Sequence, residues 1–245
     1  MTRFSAFAIH LGISLAVFAV LAYLVVAVWY PDLFFTTDGG WQGMRIIIAV
    51  DLVLGPLLTL IVYKHGKPGL KFDLACIGTF QAICLIAGTW LVHSERPLAI
   101  IYADGQFISL SRDSYQQANM EIPDFDQFPG DYPKWIMIDV PDDIVEQADL
   151  RREMISKGRI LELAVDNYLP FDPDSTRFQQ EAVDADDLLE GDQVAQQVPS
   201  WLARHGGSIE DYRFYPYGTR YEYLYLGYRD DPSELVGLLG TPMPN

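Results

Sequence analysis

Among the polar side chains that interrupt the apolar runs of the first 92 residues, six have the most chemistry to offer. They are His10, Ser14, Tyr23, Asp51, Thr59 and Gln81. Asp51 is the sharpest of them. A carboxyl group near the middle of a bilayer costs about 2.5–3.5 kcal/mol on insertion scales. It must therefore face other helices, be protonated, or both. A Tyr hydroxyl and a Gln amide can each hydrogen-bond a carboxyl, so Tyr23 and Gln81 are its expected partners. His10 is expected to bond Ser14 or Thr59. Gly55-Pro56 interrupts the same run as Asp51. Proline removes a backbone donor and clashes with the preceding turn, which predicts a kink and a freed carbonyl near Leu52. Two uses stay open for Asp51, Tyr23 and Gln81: to glue a bundle together, or to grip another helix. A proton relay needs a chain of acids or an intramembrane base beside Asp51, and the runs supply no such chain.

The elements that must position these groups are three apolar stretches, Phe4–Trp29, Met44–Tyr63 and Phe72–Val92. A hydrocarbon core about 30 Å thick needs about 20 apolar residues to cross as a helix. Backbone groups in hydrocarbon must bond internally, so each stretch is expected to be helical. Arg3, Lys64, Lys67 and Lys71 flank the stretches on one side, whereas Asp32 and Asp38 lie in the first loop. Positive charge stays cytoplasmic, which predicts the N-terminus inside and the C-terminal part outside. The first stretch is expected to be retained rather than cleaved. It is long, and Trp29-Tyr30-Pro31 follows it in place of a small-x-small site. Cys76 and Cys84 share the third stretch about 12 Å apart along a helix, too far to bridge.

Charge divides the chain of 245 residues. Residues 1–92 carry five basic and four acidic side chains; residues 93–245 carry 12 Lys/Arg and 29 Asp/Glu, a net charge of −17. So acidic a region argues against nucleic acid as a partner, since phosphates would repel it. The four histidines lie far apart, at 10, 65, 93 and 205. There is no H-E-x-x-H, G-x-S-x-G, P-loop or C-x-x-C motif. The sequence is read as non-enzymatic, with no metal site and no cofactor. Asp184, Asp186, Asp187, Glu190 and Asp192 lack the glycine and closing glutamate of a calcium loop and read as a solvated helix face.

Several local features of the first 102 residues occur together. They include His10-Leu11 with Ser14, Trp29-Tyr30-Pro31, Gly39-Gly40 and the run Val50-Asp51-Leu52-Val53-Leu54-Gly55-Pro56-Leu57-Leu58-Thr59. Gly66-Lys67, Leu70-Lys71-Phe72-Asp73-Leu74, Gln81 and Arg96-Pro97 follow. In these the chain resembles the type IV pilin accessory proteins of the TfpX/TfpZ kind. The likeness runs over about residues 4–102 and leaves only a faint echo near Phe214-Tyr215-Pro216. The resemblance implies an inner-membrane protein that helps a major pilin accumulate or assemble, so the bilayer and a type IV pilin are the implied partners. Pilins of this type carry an acid a few residues into their own membrane helix. The resemblance therefore implies that His10 meets that acid. It also makes Asp51, Gly55, Pro56, Tyr23 and Gln81 candidate partner-binding residues. A membrane-anchored pilin-modifying enzyme and a ligand-sensing membrane protein are the alternatives.

The region after residue 93 is read as one periplasmic α+β domain with antiparallel strands. Leu98–Ala103 and Gln106–Leu110 form a hairpin about Asp104-Gly105, which suits a type I′ turn. Residues 111–133 read as a loop, and Trp135–Val140 as a strand. A helix capped near Asp142 runs to Ser156, with Gly158 as its stop. Further helices are expected at Ile160–Asn167, Ser175–Glu190 and Gln193–Arg204. Tyr212–Tyr217, Tyr221–Tyr228 and Glu234–Leu239 form a closing meander. Alternation puts Leu224 and Leu226 on the core face and Tyr221, Tyr223 and Tyr225 on the other. That row is either a protein-contact surface or cross-strand aromatic packing.

Overall fold

The computed structural model describes residues 1–31, 33–190, 192–219, 221, 223–230 and 233–240. Asp32 lies outside them, as do the side chains of Asp186, Glu190 and Asp192, three members of the acidic cluster. The chain divides into two compact units, Met1–Arg96 and Pro97–Asn245.

The first unit is built on three helices long and apolar enough to cross a membrane: α1 (Arg3–Trp29), α2 (Gly40–Val62) and α3 (Leu70–Glu95). Thr2 caps α1, its hydroxyl accepting from the Ser5 N–H at 3.1 Å. α2 packs on both α1 and α3. The outward side chains of this unit are large and apolar, among them Phe4, Ile61, Phe72, Ile86 and Trp90. Residues that would be core in a water-soluble protein face outward here, while Ser14, Asp51, Thr59 and Gln81 are buried. That inversion supports membrane association.

The second unit carries a seven-stranded sheet in the order β4-β3-β1-β2-β5-β6-β7. β1 (Pro97–Ala103) is buried at every position and lies in the middle of the sheet, which suits its continuous apolar run. It forms the expected hairpin with β2 (Gln106–Ser111). Both turn residues, Asp104 and Gly105, have the positive φ that a type I′ turn demands. The closing meander is also present, as β5 (Tyr212–Gly218), β6 (Tyr223–Asp230) and β7 (Ser233–Leu239) in antiparallel register.

The sheet is mixed rather than antiparallel, which corrects the expected class. β3 (Lys134–Ile138) runs parallel to β1, and β5 runs parallel to β2. Parallel neighbours need a crossover of a dozen or more residues. Residues 112–133 supply one, with the short helix α4 (Arg112–Gln117) where a loop is expected. Residues 171–211 supply the other. Here the expected long helices are broken. Ser175–Glu190 becomes α6 (Thr176–Gln180) and α7 (Ala185–Glu190), because Val183 leaves the helix to bond Phe214 of β5 at 2.8 Å. Gln193–Arg204 becomes α8 (Asp192–Ala195) and α9 (Val198–His205), the latter with a proline in its first turn, where its missing N–H costs nothing. Ile160–Asn167 forms two tight 3-10 turns, Leu161–Leu163 and Val165–Asn167. α5 (Ile144–Ser156) is capped by Asp143, one residue beyond the expected cap, through Val145 and Glu146. β4 (Tyr168–Pro170) pairs with β3 at one edge.

Both faces of the sheet are covered. One bears an aromatic cluster in which Phe178 stacks on Tyr215 at 4.3 Å and Tyr102 meets Phe107 at 5.0 Å. The Tyr102 hydroxyl donates to Glu181 at 2.7 Å, and burial pushes that hydroxyl up from its ordinary range. The other face carries Ala99, Ile101, Ile136 and Phe125 at one end and Trp201, Phe214 and Leu239 at the other.

Glu162 is 4% exposed, and Gln106 donates to its carboxylate at 3.0 Å. Burial raises its pKa above the ordinary value, with nearby Asp104 adding to the rise. A raised folded-state pKa means the neutral acid is the better buried form. The stability it contributes is full below the unfolded value of about 4.3 and lost as pH rises through the folded value. Glu162→Gln keeps the acceptor for Gln106 and removes the buried charge. We expect it to raise the Tm of the full chain in detergent by about 2–4 °C at neutral pH. Melts on a descending pH series should show that gain shrink toward zero as Glu162 itself becomes protonated.

Candidate functional site

Asp51 lies in the middle of α2, and the helix around it is not an ordinary α-helix. Ile48–Leu54 winds as a wide π-helix, in which the Gly55 N–H reaches back to the Val50 carbonyl. Pro56 is the physical reason. In the wide pattern the next donor would bond the Asp51 carbonyl, and Pro56 has no N–H to give. The orphan carbonyl is therefore that of Asp51, one residue from the expected Leu52. It is met from another helix, by the Gln81 Nε2 of α3 at 3.2 Å. The local disturbance expected at Gly55-Pro56 takes the form of this widened turn.

The same amide also bonds the Asp51 side chain. Gln81 Nε2 donates to Asp51 Oδ1 and lies 3.2 Å from Ser14 Oγ, while the Ser14 hydroxyl donates to Asp51 Oδ1 at 3.3 Å. Asp51 is 3% exposed, and its Oδ2 has no hydrogen-bond partner among the described residues. Donors thus converge on one carboxyl oxygen only. Gly55 makes the approach possible. A Cβ built on it would overlap the Gln81 amide group. The other end of that amide continues the network, with His10 Nε2 donating to Gln81 Oε1 at 2.9 Å and His10 Nδ1 hydrogen-bonded to Thr59 Oγ1 at 2.6 Å. Ser14, Asp51, Gln81, His10 and Thr59 form one polar spine through three apolar helices.

Of the residues singled out from the sequence, the structure brings together His10, Asp51, Gly55, Pro56 and Gln81. His10 takes the expected Thr59 but not Ser14. Tyr23 is not in the spine; its side chain is 66% exposed on the outside of α1. The reason is depth. α2 begins at Gly40, four residues before the apolar run, so Asp51 sits about 6 Å deeper than counted from Met44 and meets Ser14 instead. The pairing of Ser14 with Asp51 has no local signal, since it joins positions 37 apart. The tyrosines of the second unit also part company. Leu224 and Leu226 are buried as expected. Tyr223 is half exposed, Tyr225 packs against the Trp201 cluster, and Tyr221 precedes β6. The row is therefore not one exposed surface.

Two pockets with no lining residue in common lie along α1 and α3, one toward each end of the helices, and are called here the two halves of a groove. Its half nearest the α2–α3 loop has a volume of about 310 Å³ and is lined by Ile9, His10, Ile13, Thr59, Leu74 and Gly78. The other half, about 410 Å³, is lined by Val17, Leu21, Leu85, Ile86, Thr89 and Trp90. The lining is mostly apolar; the spine surfaces in it at His10 and Thr59, and His93 and Trp29 line the other half at its far end.

Gly55→Ala should drive the Gln81 amide off Asp51 and leave a buried carbonyl and carboxyl short of donors, a loss of about 1–3 kcal/mol. Gln81→Leu should cost a similar amount. If the amide answers the donor missing at Pro56, Pro56→Ala should recover part of the Gln81→Leu loss. A double-mutant cycle on thermal unfolding in detergent measures that coupling. Strict additivity would refute the link between Pro56 and Gln81.

Residues 1–32 match the family described as fimbrial assembly protein FimB. The fimbrial assembly protein of serogroup I of Dichelobacter nodosus is 33% identical over 129 residues, covering 49% of this chain and 49% of that protein. The serogroup E1 protein is 32% identical over 129 residues with the same coverage. The protein of serogroups C1 and C2 is 34% identical over 97 residues, covering 38% of this chain and 73% of that protein. The chain spans about half the length of the first two relatives. No solved structure matches. The similarity to the serogroup C1 and C2 protein, together with the match at residues 1–32, shows that the chain belongs to the fimbrial assembly protein family.

Proposed function

We propose that this protein is an inner-membrane accessory of type IV pilus assembly that binds a pilin and shelters its membrane helix before the pilus takes it up. The observation that carries the proposal is the groove along α1 and α3, with a mostly apolar lining and a polar spine behind it. The relatives' names, which speak of fimbrial assembly, support a role in that process. A pilin helix bears an acid that is costly to leave unpaired in lipid. A groove that offers apolar contact along most of its length and, in the half nearest the α2–α3 loop, the His10 imidazole would lower that cost. His10 is the one basic side chain lining the groove's first half, so it is the residue proposed to face the acid, exchanging its bond with Thr59 for the new one.

On this reading Arg3, Lys64, Lys67 and Lys71 mark the cytoplasmic end, and Pro97–Asn245 is a periplasmic domain that contacts the pilin head. Its net negative charge would favour a head with a basic patch. Binding must stay moderate, because a grip too tight would stall transfer to the pilus. A chaperone of this kind needs no catalytic group.

Photo-cross-linkers placed in the groove, at Ile13 and Leu85, should capture the membrane segment of co-expressed pilin. Cross-linkers at Val53, exposed on α2, should capture it far less. Equal capture at all three positions would remove the groove from the proposal. His10→Leu should lower pilin recovery on co-purification from mild detergent several-fold while Thr59→Val leaves it nearly unchanged. If His10→Leu recovers as much pilin as the native chain, the imidazole is a bundle residue only.

A further inference from the structure

Next to residues that line the half of the groove nearest the α2–α3 loop, the chain places cations that the polar spine does not use. Arg3, Lys64 and Lys71 are exposed, and no acid pairs with them among the described residues. Lys67 is different, being held by Asp73 at 2.6 Å. The three unpaired cations come from three elements, and each sits next to a residue that lines the groove. Arg3 lies one turn below Ala6 on α1, and Lys71 one turn below Leu74 on α3, the spacing at which helical side chains are neighbours. Lys64 follows Tyr63 directly, and Ala6, Leu74 and Tyr63 all line this half of the groove. Gly78 leaves its wall open, since a Cβ there would meet nothing within 4 Å.

We propose that this half of the groove binds an anionic phospholipid, with an acyl chain along Ile9, Ile13, Leu74 and Gly78 and the phosphate among Arg3, Lys64 and Lys71. The argument is charge complementarity at an apolar slot. Basic pockets between membrane helices attract anionic headgroups. Each basic side chain near the surface adds to that attraction, and the apolar slot below rejects a soluble anion, which has no chain to fill it. The lipid occupies the groove when no partner helix is there. The inference thus rests on reading α1–α3 as membrane-spanning, and not on pilin binding.

Native mass spectrometry of the full chain in neutral detergent, titrated with phosphatidylglycerol or with phosphatidylcholine of the same chains, tests it. Phosphatidylglycerol should bind at least about tenfold more tightly. The triple variant Arg3→Gln, Lys64→Gln, Lys71→Gln should bring the two lipids level, whereas Lys67→Gln, already paired with Asp73, should change little. Gly78→Leu should weaken both lipids by filling the slot, and its exposed position lets it fold; a thermal melt matching the native chain verifies that. Equal affinity for the two lipids would overturn the proposal. So would a Gly78→Leu variant that binds phosphatidylglycerol as well as the native chain, which would mean that surface charge alone holds the headgroup. Failure of the pilin cross-links would not alter these results, so the two ideas fall separately.

Discussion

A polar backbone or side-chain group buried among apolar helices must find a partner inside the protein, and the first unit is organised around that requirement. Asp51 brings two demands at once. Its carboxyl needs donors, and its own carbonyl loses one because Pro56 has no N–H. A single side chain, Gln81, meets both through one amide nitrogen. Its carbonyl end then anchors His10. Removing any one of these residues would leave the others with buried polar groups and no substitute from solvent.

Gly55 and Pro56 therefore act together rather than as separate helix breakers. The proline creates the orphan carbonyl, and the glycine leaves room for the amide that satisfies it. The wide turn at Ile48–Leu54 is how the backbone reconciles the missing donor with a continuous helix. This gives the acid and the Gly-Pro pair in the same apolar run a shared structural role. It also bears on partner binding. A bundle held by a specific polar spine does not need all its apolar surface for self-association, and part of that surface is left as the groove along α1 and α3.

The second unit obeys the opposite solvent rule. Its sheet buries large aromatic side chains on both faces, and the hydroxyls of Tyr102, Tyr115 and Tyr168 find partners within the domain. The acidic groups stay mostly at the surface. Among the described residues Glu162 is the buried exception, and it is tolerated because Gln106 serves it and because it can hold a proton.

By itself the sequence determined whatever depends on local pattern. Apolar run length set the three helices, and composition separated the two units. Positive φ at Asp104 and Gly105 follows from residue type, and alternation put Leu224 and Leu226 inward. The likeness at Asp51, Gly55, Pro56 and Gln81 was also legible, and these residues do meet. Only the tertiary structure decided what depends on register and on distant partners. It put Ser14 rather than Tyr23 against Asp51, because α2 starts at Gly40 and a shift of one helical turn changes which neighbour faces a side chain. It broke two helices where Val183 pairs with the sheet and where Pro199 restarts the chain. It made the sheet mixed, because strand direction is set by where each crossover lands and not by the residues within the strand.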